Sequence, residues 1–103
     1  MNGDHTPRQK IRELLMQGPH CLRDLSQTLG MPEKHILAEL PHVERSLKPL
    51  HLRISQIPPF CRSCQYAFKN RSRFSKPGKC PLCRATTIEA PFFYIEPPGR
   101  EAP

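Results

Sequence analysis

Cys61-Arg-Ser-Cys-Gln-Tyr-Ala-Phe-Lys-Asn-Arg-Ser-Arg-Phe-Ser-Lys-Pro-Gly-Lys-Cys-Pro-Leu-Cys83 is the stretch on which the reading of this chain turns. Two Cys-x₂-Cys pairs are separated by fifteen residues, a spacing that fits a four-cysteine zinc site. A two-residue gap lets a tight turn aim both sulfurs of a pair at one point. Two such knuckles close a tetrahedron of thiolates around one Zn²⁺, with sulfurs at ~2.3 Å. No position is left for water, so the expected ion, on Cys61, Cys64, Cys80 and Cys83, is structural. A redox dithiol needs only one pair, commonly at a helix start after a strand. Here Pro58-Pro59 precedes the first pair, and Gly78 and Pro81 bracket the second. Iron in the same four sulfurs, as in rubredoxin, is the competing chemistry. Many such knuckles carry Gly after the second Cys, whereas this chain carries Gln65 and Arg84. Cys21 stands alone near a helix start and is read as a small packed residue.

Working outward, the loop between the knuckles carries Lys69, Arg71, Arg73, Lys76 and Lys79. It reads as an exposed fingertip suited to phosphate. Tyr66, Phe68, Phe92, Phe93 and Tyr94 are expected to form the thin apolar layer of the ribbon, with base stacking as the alternative. Short strands are expected at Tyr66–Phe68, Thr86–Ile88 and Phe92–Ile95. A unit of ~40 residues rarely folds without a staple, and the metal would supply it.

Upstream, Thr6-Pro7 is a helix start and Gly18 a stop, with Ile11, Leu14 and Leu15 on one face. A second helix fits Leu22–Leu29, and Gly30 permits a left-handed turn. A third begins near Pro32-Glu33, with Ile36, Leu40, Val43 and Leu47 on its apolar face. Its opposite stripe carries Lys34, His42, Arg45 and Lys48, as a recognition helix for a DNA groove would. The alternative is a helical bundle whose third face is only solvated. Pro41 either kinks this helix or starts a fourth. Leu50–Ile54 alternates and reads as a strand. The fold class expected is α+β: a small N-terminal (winged) helix-turn-helix domain over 1–55, a zinc ribbon over 56–96, and a disordered tail over 97–103.

Charge is unevenly distributed along the 103 residues, which carry a net charge of +7. Residues 1–44 hold 5 basic and 6 acidic side chains, while 45–88 hold 10 basic and none acidic. A one-sign run of this kind attracts a polyanion, most simply nucleic acid. The first residues lack an apolar leader segment, and no stretch is long enough to span a membrane, so a reducing cytoplasm is the expected setting. Thirteen prolines limit uninterrupted elements. His5, His20, His35, His42 and His51 are scattered singly. With no nucleophile–base pair, His-rich open metal site or phosphate-cradling Gly loop, an enzyme is not expected.

The chain resembles a prokaryotic family described as predicted transcriptional regulators, in which a helix-turn-helix domain is fused to a zinc ribbon. The resemblance rests on Leu25–Met31, Arg45-Ser-Leu-Lys48, Cys61-x₂-Cys64, Phe68-Lys-Asn-Arg-Ser-Arg73, Lys76-Pro-Gly-Lys-Cys-Pro-Leu-Cys83 and Ile88-Glu-Ala-Pro-Phe92. It implies a winged-helix-like domain, one zinc on the four cysteines, and double-stranded DNA as partner. An adaptor or metallochaperone that docks on a protein remains the alternative. The sequence carries no clear dimerisation helix.

Overall fold

The computed structural model of the protein describes residues 6–69 and 73–96. Arg71 and the tail segment 97–103 therefore lie outside the described residues. Three helices come first: α1 (Pro7–Gln17), α2 (Leu22–Leu29) and α3 (Glu33–Leu47). A 3₁₀ turn over Lys48–Leu50 follows, then β1 (Ile54–Ile57), β2 (Phe60–Cys61), β3 (Ile88–Glu89) and β4 (Phe92–Ile95).

Local chemistry sets the helix ends. Thr6 and Gln9 cap α1 reciprocally, each side chain bonded to the other's backbone N–H. That arrangement satisfies two of the first-turn donors that a helix leaves without partners. At the end of α2, Gly30 takes φ 67° and ψ 33°, where a Cβ is costly. The N–H groups of Gly30 and Met31 both donate to the Ser26 carbonyl, at 2.9 and 3.2 Å. The α3 helix runs through Pro41 without dividing in two. Its apolar face pins it, since Ile36, Leu40, Val43 and Leu47 are all buried on either side of the proline.

The expected strand over Leu50–Ile54 is displaced. Pro49 extends the end of α3 into the 3₁₀ turn, and His51 closes that turn at φ 60°. Extended pairing therefore starts only at Ile54. β1 then pairs antiparallel with β4, and β2 with β3. Ile54 faces Ile95, Ile57 faces Phe92, Phe60 faces Glu89 and Cys61 faces Ile88. These pairs share one offset along the chain, but they form two separate two-stranded sheets. The gap between them holds Pro58 and Pro59 on one side, Ala90 and Pro91 on the other. Three of those four residues have no N–H to give a ladder.

Two hydrophobic cores result. The larger contains Ile11, Leu15, Leu25, the apolar face of α3, Ile54, Phe93 and Ile95. The smaller contains Cys61, Cys80 and Ile88, flanked by Tyr66, Phe68 and Ala85. The aromatics expected to share one ribbon layer are thus divided. Tyr66 and Phe68 pack edge to face beside the cysteines, with centroids 5.0 Å apart. Phe93 is fully buried among the helices, because pairing with β1 carries β4 across the expected boundary near residue 55. The short strand expected at Tyr66–Phe68 is reduced to a single bridge between Phe60 and Ala67.

Candidate metal centre

Each cysteine pair folds into the same local turn. The Cys61 N–H donates to the Tyr66 carbonyl at 2.8 Å, and the Gln65 N–H returns to the Cys61 carbonyl at 2.8 Å. The second pair repeats this pattern, with Cys80 to Ala85 at 2.9 Å and Arg84 to Cys80 at 2.9 Å. Gln65 and Arg84 occupy the position where such turns commonly carry glycine. Both adopt left-handed backbone, at φ 69° and φ 63°. The turn geometry is therefore kept without glycine, at a cost of about 1–2 kcal/mol per residue.

The turns bring four sulfurs together. Cys61 and Cys83 lie 3.6 Å apart at Sγ, as do Cys64 and Cys80. All four ligand atoms fall within 4.8 Å of one another. A tetrahedron with ~2.3 Å metal–sulfur bonds has edges of about 3.8 Å. The donor set and its spacing therefore fit one tetrahedral metal ion. Cys61 and Cys80 are buried, whereas Cys64 and Cys83 face outward.

Without a cation the four thiols cannot ionise together. Burial disfavours the Cys80 thiolate, but N–H groups of Cys83 and Leu82, with the Cys64 and Cys83 thiols, outweigh it and bring the thiol down to about 7. Burial likewise opposes ionisation of Cys61, and the Cys64 and Ser63 amides reverse it, so that thiol is also lowered. The Tyr66 amide favours the Cys64 thiolate, but desolvation and the three neighbouring sulfurs push that thiol up to about 12. The Ala85 amide favours ionised Cys83, yet the bond from Cys61 and desolvation leave it raised. Two low and two high thiols are what one shared pocket of negative charge produces, and a divalent ion removes the conflict.

The cationic residues named from the sequence divide between two regions. Lys34, His42, Arg45 and Lys48 are all exposed on or just beyond α3. Beside them, Arg8 of α1 pairs with Glu39, which occupies one acidic flank of that helix. Lys69, Arg73, Lys76 and Lys79 are exposed in the loop between the knuckles. That loop is not a free fingertip along its whole length. Gln56 Nε2 donates to the Arg73 carbonyl at 2.8 Å, and Phe74 packs edge to face on Phe93, with centroids 5.6 Å apart. The sequence reading missed this contact, because Phe74 is one apolar residue in a basic loop and its partner lies far along the chain. Cys21 is separate from the centre and half-buried, and burial raises its thiol.

The fold and site define a small α+β protein with three helices, short antiparallel sheets and a four-cysteine centre able to hold one metal ion. The chain belongs to the PF0610-like family. The family model described as PF0610-like, N-terminal, matches residues 6–54. The chain is similar to protein PF0610 from Pyrococcus furiosus, known from a solution NMR structure. The two are 31% identical, with 94% of each chain covered and a TM-score of 0.74. No curated protein matches the chain. Among the described residues, no helix is long and apolar enough to cross a membrane.

Proposed function

We propose that the protein is a zinc-binding, DNA-binding transcriptional regulator built on a winged helix-turn-helix. The observation that carries this reading is the double pairing of β4. On one side β4 pairs with β1; on the other, Phe93 and His20 exchange backbone hydrogen bonds of 2.9 and 2.8 Å. The order helix, single-residue strand, helix, helix, two strands is that of a winged helix, with the metal-bearing segment standing where the wing tip would be. In this reading α3 enters a major groove, and Lys34, His42, Arg45 and Lys48 face the DNA. Lys69, Arg71, Arg73, Lys76 and Lys79 then hold phosphates from the ribbon. Zinc is the ion expected, because four thiolates in tetrahedral array suit it and leave no open position.

The residues that would hold zinc are Cys61, Cys64, Cys80 and Cys83. The ion supplies a charge centre and cross-link, and the chain does the rest. The two knuckle turns orient the sulfurs, and the loop between them presents cations. Anisotropy of a labelled random duplex, titrated with zinc-loaded protein at low salt, tests the reading. Binding that weakens steeply as salt rises is expected. No binding at low salt would sink it.

The exposure of Cys64 and Cys83 favours one alternative, a metallochaperone or adaptor. An exchangeable site would yield its metal to a weak chelator while circular dichroism stayed unchanged. A structural site unfolds as the metal leaves.

A further inference from the structure

The metal centre and the helical core are joined by more than chain connectivity. Cys61, a ligand, belongs to β2 and faces Ile88 of β3. In the same register, four to seven residues further along, β3 leads into β4, whose Phe93 and Ile95 are buried among the helices. The intervening gap is not slack. Pro59 is fully buried and Pro91 is buried, and each ring fixes its own φ. A second connection runs through the loop that the two knuckles close at its ends. From it Phe74 rests on Phe93, and the Arg73 carbonyl takes the Gln56 side chain.

Both connections end on Phe93. That residue uses both its backbone groups on His20, between α1 and α2. Its pairing with Gln56 is accordingly of the non-hydrogen-bonded kind, and the β1–β4 bonds fall at Ser55–Tyr94 and Ile57–Phe92. A four-residue strand held by two such pairs is marginal by itself. Beyond those bonds it is held by the burial of Phe93 and Ile95 and by what fixes its far end.

The geometry points to a metal-operated clamp: occupancy of the four-cysteine centre holds β4 between β1 and His20, and loss of the ion releases it from the helical core. The element with two states is β4, paired or unpaired. The ion biases it by fixing Cys61, hence Ile88 of β3 four residues before β4, and by tethering the loop that presses Phe74 on Phe93. This coupling holds whatever α3 binds and does not rest on nucleic-acid recognition.

Amide hydrogen exchange on the full chain, followed by NMR, tests it. The zinc-loaded protein is compared with protein stripped by a chelator under reducing conditions, and then with protein reloaded with zinc. The amides to follow are Phe93 and His20, against Leu15 and Val43 inside α1 and α3. Expected is at least a tenfold faster exchange of Phe93 and His20 on stripping, reversed on reloading. Loss of protection at all four amides together overturns the clamp, since the whole fold, and not β4 alone, would then depend on the ion. Phe93 and His20 exchanging within twofold of the loaded protein overturns it, as does a loss that zinc does not reverse. In the loaded protein, Phe74→Ala should speed Phe93 exchange several-fold and leave Val43 unchanged. No change at Phe93 would show that the loop does not hold β4, and would overturn that half of the clamp.

Discussion

Gln65 and Arg84 hold the conformation that a glycine would hold without strain, at φ 69° and φ 63°. Each does so because its N–H closes a knuckle on the carbonyl of the first cysteine of its pair. Replacement by glycine removes the Cβ penalty but adds freedom to the unfolded chain, and the first effect is larger at such angles. Gln65→Gly and Arg84→Gly should each stabilise the metal-loaded protein by about 0.5–1 kcal/mol. Denaturant unfolding at fixed zinc concentration measures it, and lowered midpoints in both variants would refute it. Phe93→Ala acts in the opposite direction. It empties a fully buried aromatic site in the larger core, and should cost about 3–5 kcal/mol. Phe92→Ala, one residue away and half-buried, should cost clearly less. Equal losses from the two would mean that β4 does not present Phe93 inward.

Among the elements, α3 carries the plainest defect. Pro41 lies inside it, lacks the N–H that would reach the Leu37 carbonyl, and is exposed. Proline in a helix interior is ~3 kcal/mol worse than alanine, and an exposed ring gains little burial to offset that. Pro41→Ala should therefore raise stability by about 1–3 kcal/mol, read as a higher thermal midpoint; a lower midpoint would show that the proline itself is needed for packing. Helix ends were legible because their signals are local: Thr6-Pro7, Gly18, and Gly30 each act within a turn of themselves. The knuckles were legible because metal geometry dictates cysteine spacing. The continuity of α3 through Pro41 was not, since it depends on four buried side chains finding partners on α1 and α2. Nor was the destination of Phe92-Phe93-Tyr94-Ile95. That alternating strand suits either core, and only its pairing with Ile54–Ile57, some 38 residues earlier, decides. Phe74 was hidden for the same reason: within its own neighbourhood it is one apolar residue in a basic loop.

At the scale of the molecule, a zinc ion on the four cysteines would contribute as much to folding as the total stability of a domain. Structural zinc supplies ~10–16 kcal/mol at neutral pH, against a net 5–15 kcal/mol for a typical fold. That contribution is linked to protons. The loaded centre holds four thiolates and no thiol protons. In the ion-free chain Cys64 is pushed up to about 12 and Cys83 is raised, so both are protonated at neutral pH. Zinc binding would then displace at least two protons, and affinity should fall about a hundredfold for each pH unit lost near neutrality. Below about 7 the Cys80 thiol is protonated as well, a third proton is displaced, and the dependence steepens. The sign is therefore fixed: affinity, and the stability drawn from it, rise with pH and fall with acid. Competition against a chelator of known proton affinity, run at several pH values between 6 and 8, gives the slope directly. A slope of two or more, increasing toward acid, is expected. A slope below one would mean that the thiols are already ionised before the metal arrives, and that the crowding of four sulfurs described above does not govern the centre.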